Sequence, residues 1–189
     1  MDDLTIETYE GARDYLTNRI PEVFRDSCDK LYFVQEKNYA DYVGEVYEFS
    51  AGRMTGTYQV PGNAGTRAYV KMPNLEPPYG DIITWISARA YTTIHELAHA
   101  YDFRYGYWAE STSDEWDSIH NGEGQRLAER LYHYETYCGY SAFDQRKETY
   151  AMATEAYFHQ ARWLMENCPR AYAYMDEKWG EWMAEHPVA

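Results

Sequence analysis

The chemistry in this chain is concentrated in TTIHELAHAYD, Thr92 to Asp102, where His95 and His99 stand four residues apart with Glu96 beside the first. On a helix, residues i and i+4 lie one above the other, so both imidazoles can turn a ring nitrogen toward one ion about 2 Å away. Zn²⁺ is the expected ion. Glu96 is placed to take a proton from a water activated at the ion and to hand it to a leaving amine, the arrangement of a metal-assisted hydrolase. By composition alone the pentapeptide arises in about one such chain in fifty, so its surroundings have to add weight. The rival explanation is a solvated helix face with two incidental histidines.

Two histidines and a water leave a catalytic zinc short of a ligand. A glycine after His99 followed three residues later by a third histidine would supply it, but the chain continues Ala-Tyr-Asp-Phe-Arg-Tyr. The remaining source is a later helix. Glu148, Met152, Glu155 and His159 recur at intervals of 4, 3 and 4 along one helical stripe, and any of its three polar members could reach an ion. Periodicity does not choose among Glu148, Glu155 and His159.

These side chains need elements to hold them. From Thr8 to Arg25, Tyr15, Leu16, Ile20, Val23 and Phe24 fall at helical intervals broken by Pro21, which predicts one or two short helices. Strands are expected at Leu31 to Val34, Glu45 to Phe49, Thr55 to Val60 and Arg67 to Met72, short β-branched or aromatic runs separated by turn-formers. After the proline-rich loop Pro73 to Gly80 the period becomes helical. Ile83, Ile86, Ala90, Ile94, Leu97 and Tyr101 draw one apolar stripe along a helix that Gly106 should end, with His95, His99 and Asp102 on the adjoining face. Further helices are expected around Gln125 to Tyr134, Lys147 to Met165 and Arg170 to Met183, the first in a polar stretch broken by Gly122 and Gly124. The expected architecture is one α+β domain spanning residues 1–189: an N-terminal helix, a small twisted mixed sheet, the HExxH helix and a helical C-terminal half.

Asp and Glu total 31 against 17 Lys and Arg, a net charge of -14, which repels phosphate backbones and anionic lipid headgroups. Nucleic acid and membrane are therefore not expected as partners. The first residues have neither a basic region nor an apolar core of the leader type. Cys28, Cys138 and Cys168 are odd in number, lack CxxC spacing and read as buried thiols. A cytoplasmic location is favoured, with leaderless secretion as the alternative.

The residues also resemble the catalytic domain of anthrax lethal factor and its smaller relatives, the Pro-Pro endopeptidases, which are zinc metallopeptidases of the gluzincin type. HELAHAYD, His95 to Asp102, has that family's form including the final aspartate. Glu148-Thr149-Tyr150-Ala151-Met152-Ala153 matches its Glu-x-aromatic-Ala-x-Ala segment, and Pro169-Arg170-Ala171-Tyr172 its Pro-x-x-Tyr/Phe element. The likeness runs from Ile94 to Met175, about half of the chain. It implies a zincin-like fold, Zn²⁺ held by His95, His99 and Glu148, and endopeptidase activity on a peptide or protein substrate with Glu96 as general base. It also implies a tyrosine that stabilises the oxyanion. The family places that tyrosine seven residues before the glutamate, where this chain has Ser141; Tyr140 takes the role, with Tyr137 in reserve. Met152 stands where relatives often carry a second glutamate. Similarity to zincins generally further implies that the strand Arg67 to Met72 is the sheet edge to which an extended substrate adds. Asp102 would orient a ligand or anchor a loop.

Two readings compete with a peptidase. One is a zinc-stabilised scaffold or regulatory module, which would have no use for Glu96 as a base and would close the fourth metal position with a protein ligand. The other is a metal-free helical protein.

Overall fold

The computed structural model describes the backbone of residues 14–27, 30–35, 45–50, 53–54, 67–71, 81–83, 90–105, 107–131 and 134–186. It describes the side chains of 14–15, 18–24, 26–27, 94–105, 107–131 and 134–186. The chain divides into two compact units, Met1–Gly106 and Tyr107–Ala189.

In the first unit a π-helical turn, Tyr15–Arg19, precedes helix α1, Glu22–Asp26. Pro21 separates the two, as its missing N–H and fixed φ require. Five short backbone segments then pair: β1 (Lys30–Gln35), β2 (Glu45–Ser50), β3 (Arg53–Met54), β4 (Arg67–Lys71) and β5 (Asp81–Ile83), in the order β3-β2-β1-β4-β5. Every pairing is antiparallel. The strand expected at Thr55 to Val60 lies outside the described residues, and so does the helix stop expected at Gly106.

Helix α2, Ala90–Asp102, carries the histidines. It starts later than its apolar spacing predicts, because Ile83 lies in β5, opposite Tyr69 of β4, and its backbone is extended. β-Branched residues suit that conformation, and a helical spacing of Ile83 and Ile86 says nothing about which backbone they adopt. The expected core stripe holds over the rest of the helix: Ile94 and Leu97 are fully buried and Tyr101 is buried, its ring 5.2 Å from that of Phe24 in α1.

The second unit is built from helices alone: α3 (Asp114–Ala128), α4 (Tyr134–Cys138), α5 (Ala142–Asn167) and α6 (Pro169–Glu185). α3 begins well before the helix expected around Gln125. Ser113 caps it by accepting from the N–H of Trp116, and Asp114, Glu115 and Asp117 place negative charge on its first turn. These signals outweigh Gly122 and Gly124, each of which costs only about 1 kcal/mol in a helix interior. Trp116, Tyr150 and Tyr174 meet where α3, α5 and α6 converge, with the Trp116 ring 5.3 Å from each tyrosine. Trp116 and Tyr150 are wholly buried. Large rings in edge and tilted contact give this unit much of its apolar burial.

Of the residues whose side chains are described, about 79% lie in helices and none in a strand. The expectation of an α+β fold with a small mixed sheet is corrected accordingly: over these residues the protein is helical, and the backbone segments that do pair are all antiparallel rather than mixed. The helical share is larger than expected because capped helices extend through the polar stretch after Ser113 and from Ser141, where apolar spacing alone gave no early start. A second correction concerns the segment Arg67 to Met72, expected as a sheet edge. Among the described residues β4 pairs with β1 on one side and, over Tyr69, Val70 and Lys71, with β5 on the other, so it lies inside the sheet rather than at its edge.

α6 lacks a side-chain cap of its own and opens with Pro169. Glu123 of α3 fills the gap: its buried carboxylate accepts from the N–H groups of Arg170 at 3.1 Å and Ala171 at 2.9 Å. Two donors that no helix satisfies internally are thereby paired. Glu123→Ala is expected to lower unfolding stability by about 2 kcal/mol, read as a lower urea midpoint at unchanged m-value.

Candidate metal centre

The centre starts from α2. His95, Glu96, His99 and Asp102 project from it and are all buried, at 5%, 7%, 6% and 0% exposure. That burial removes the solvated-face explanation, since four polar side chains in the interior carry a desolvation cost that an incidental surface stripe does not. The imidazoles of His95 and His99 meet edge to face with ring centroids 5.1 Å apart, as the i, i+4 geometry dictates.

The third candidate donor lies on α5. Ser141 caps this helix by accepting from the N–H of Asp144, so Glu148 lies in its second turn. One ligand atom from each of His95, His99 and Glu148 lies within 4.8 Å of the others. Two neutral nitrogens and one carboxylate are the donor chemistry of a catalytic zinc site. Among the described residues this is the one such grouping of three or more His, Cys, Asp or Glu side chains.

Glu155 and His159, the other members of the stripe, are not in this grouping. The buried Glu155 carboxylate acts on Arg130, whose guanidinium is pushed down from its usual pKa by burial and held up in part by that charge. Arg130 also lies over the Trp163 ring, 3.9 Å from its centroid. The interval from 148 to 155 is close to two turns of helix, so the sequence sees one stripe where the structure gives its two ends different partners.

Burial alone pushes the His159 imidazole down to about 4. The unfolded chain takes up this proton from about pH 6.5, whereas the fold resists it until about pH 4. The stability from keeping the ring neutral is present above pH 6.5 and is lost as pH falls toward 4. His159→Phe is expected to flatten the fall in urea midpoint between pH 6.5 and 4.5, which in the wild type amounts to something on the order of 2 kcal/mol.

Both candidate tyrosines lie just ahead of Glu148. Burial raises the Tyr137 phenol to about 12, with the charges of Cys138, Tyr134 and Glu148 adding to it. Burial, Glu148 and Asp144 raise that of Tyr140. Both therefore stay protonated near neutral pH and remain hydrogen-bond donors. Tyr137 is buried and stacked on Tyr134, 6.0 Å between centroids at 17°, while Tyr140 is only half-buried. Of the cysteines expected to be buried thiols, Cys168 is, and burial pushes it up to about 11; Cys138 is exposed. In the five-residue helix α4 the inward position is taken by Tyr137, which turns its neighbour Cys138 out. Cys28 lies outside the described residues.

No described helix is long and apolar enough to cross a membrane. Comparison of the chain with protein-family models, curated proteins and solved structures finds no match to any of them.

Proposed function

We propose that the protein is a zinc-dependent endopeptidase in which His95, His99 and Glu148 hold the metal and Glu96 is the general base. The observation that carries this reading is the convergence of two buried imidazoles and one carboxylate to within 4.8 Å, with a buried glutamate next to the first imidazole. When bound there, zinc supplies Lewis acidity, polarising a peptide carbonyl and bringing the pKa of a water toward about 7. The Glu96 carboxylate accepts a proton from the attacking water and returns it to the departing amine nitrogen. The Tyr140 phenol, held protonated, donates to the oxygen that gains charge in the transition state. The resemblance to lethal factor and the Pro-Pro endopeptidases supports the same assignment of roles.

A zinc-stabilised scaffold explains the ligands but not Glu96, a buried acid that a closed structural site does not need. The test is incubation with an unbiased peptide library. Cleavage that stops on adding a chelator and returns with zinc is expected; an intact library with zinc-loaded protein would favour the scaffold. Tyr140→Phe is expected to lower kcat by about 10²-fold with zinc retained, and Tyr137→Phe to act mainly on stability. The reverse pattern in steady-state kinetics would move the oxyanion role to Tyr137.

A further inference from the structure

Three residues of α3 hydrogen-bond to α5 near Glu148. The Trp116 indole N–H donates to the Arg146 carbonyl at 3.1 Å, and the Arg146 guanidinium donates to Asp117 at 2.8 Å. The third contact joins His120 Nδ1 to Thr149 Oγ1 at 2.9 Å. All three anchor points on α5 lie within two residues of Glu148, at positions 146 and 149.

The His120 contact has a defined sense. The Thr149 hydroxyl, wholly buried, donates its one proton to the Gln145 or Arg146 carbonyl, at 3.1 and 3.0 Å. In the tautomer with a proton on Nδ1, the oxygen is then the acceptor and His120 Nδ1–H the donor. Reaching Thr149 requires the imidazole to lie down over the next turn of its own helix. Gly124 permits this, because a Cβ there would stand 2.5 Å from His120 Nδ1. A glycine that costs helix stability is thereby accounted for by the histidine it admits.

We infer that His120, admitted by Gly124 and bonded to Thr149, is a positioning residue that fixes the turn bearing Glu148 and so tunes metal affinity. The inference rests on the zinc reading of that site. A ligand held in place before the ion arrives loses less side-chain and backbone freedom on binding, and partners that orient ligands typically change metal affinity by about 10- to 100-fold.

The experiment is zinc competition against a chromophoric chelator, using the full chain. His120→Phe and Thr149→Val are each expected to weaken zinc binding by about tenfold. The double variant should be no weaker than either single one, because both remove the same bond. Thr149→Ser, which restores the hydroxyl, should bind like the wild type. Unchanged affinity in His120→Phe and Thr149→Val, or a Thr149→Ser as weak as Thr149→Val, overturns the inference. If His120→Phe does not fold, the two Thr149 variants decide. Wild-type protein that binds no zinc overturns the metal site itself, and that outcome is distinguishable because the other failures all occur with a zinc-binding wild type.

Discussion

Glu96→Gln is expected to keep its zinc and to lose peptide hydrolysis by about 10²- to 10⁴-fold, the usual range for removing a general base. The substitution preserves the size and polarity of a side chain that is only 7% exposed, so little disturbance of α2 is expected. What it removes is the ability to accept a proton at the carboxylate oxygen and deliver it to nitrogen. Metal content and kcat/KM measured on the same preparation separate the two effects. Loss of cleavage together with loss of zinc would mean that Glu96 holds the site together rather than moving a proton. Unchanged cleavage would place the base elsewhere.

The second large effect distinguishes the two glutamates of the α5 stripe. Glu148→Ala is expected to release the metal, because two imidazoles alone bind zinc far more weakly than a three-ligand set. Glu155→Ala is expected to keep it. Its cost falls on stability instead: the substitution removes the charge that offsets the partial burial of the Arg130 guanidinium, so a lower urea midpoint is expected. Zinc stoichiometry and urea unfolding of both variants therefore cross over. If Glu155→Ala alone released zinc, the ligand assignment would be wrong.

Helix α2 was legible in the sequence because two periodicities coincide there. Ile94, Leu97 and Tyr101 define its core side, and His95, His99 and Asp102 the side next to it; all are buried. Glu148 was less legible. Its stripe also contains Glu155 and His159, and only the resemblance favoured one end; the grouping of possible ligands contains Glu148 and neither of the others. The fold class was misread, because the long helices of the second unit were cut short. α5 covers 26 residues, kinked at Gln160, from its Ser141 cap, well before the Lys147 start that apolar spacing suggested. The His120 anchor was invisible for a related reason. Gly122 and Gly124 were read as breaks, and the use of a glycine to let a side chain fold across a helix appears only once the His120 ring is placed above Gly124.

The metal content of the wild-type protein, purified without chelator, bears most directly on the site. About one equivalent of zinc per chain is expected, absent from His99→Ala purified in the same way. Wild-type protein that carries no zinc and takes up none when it is supplied would contradict the assignment of His95, His99 and Glu148 as a metal centre.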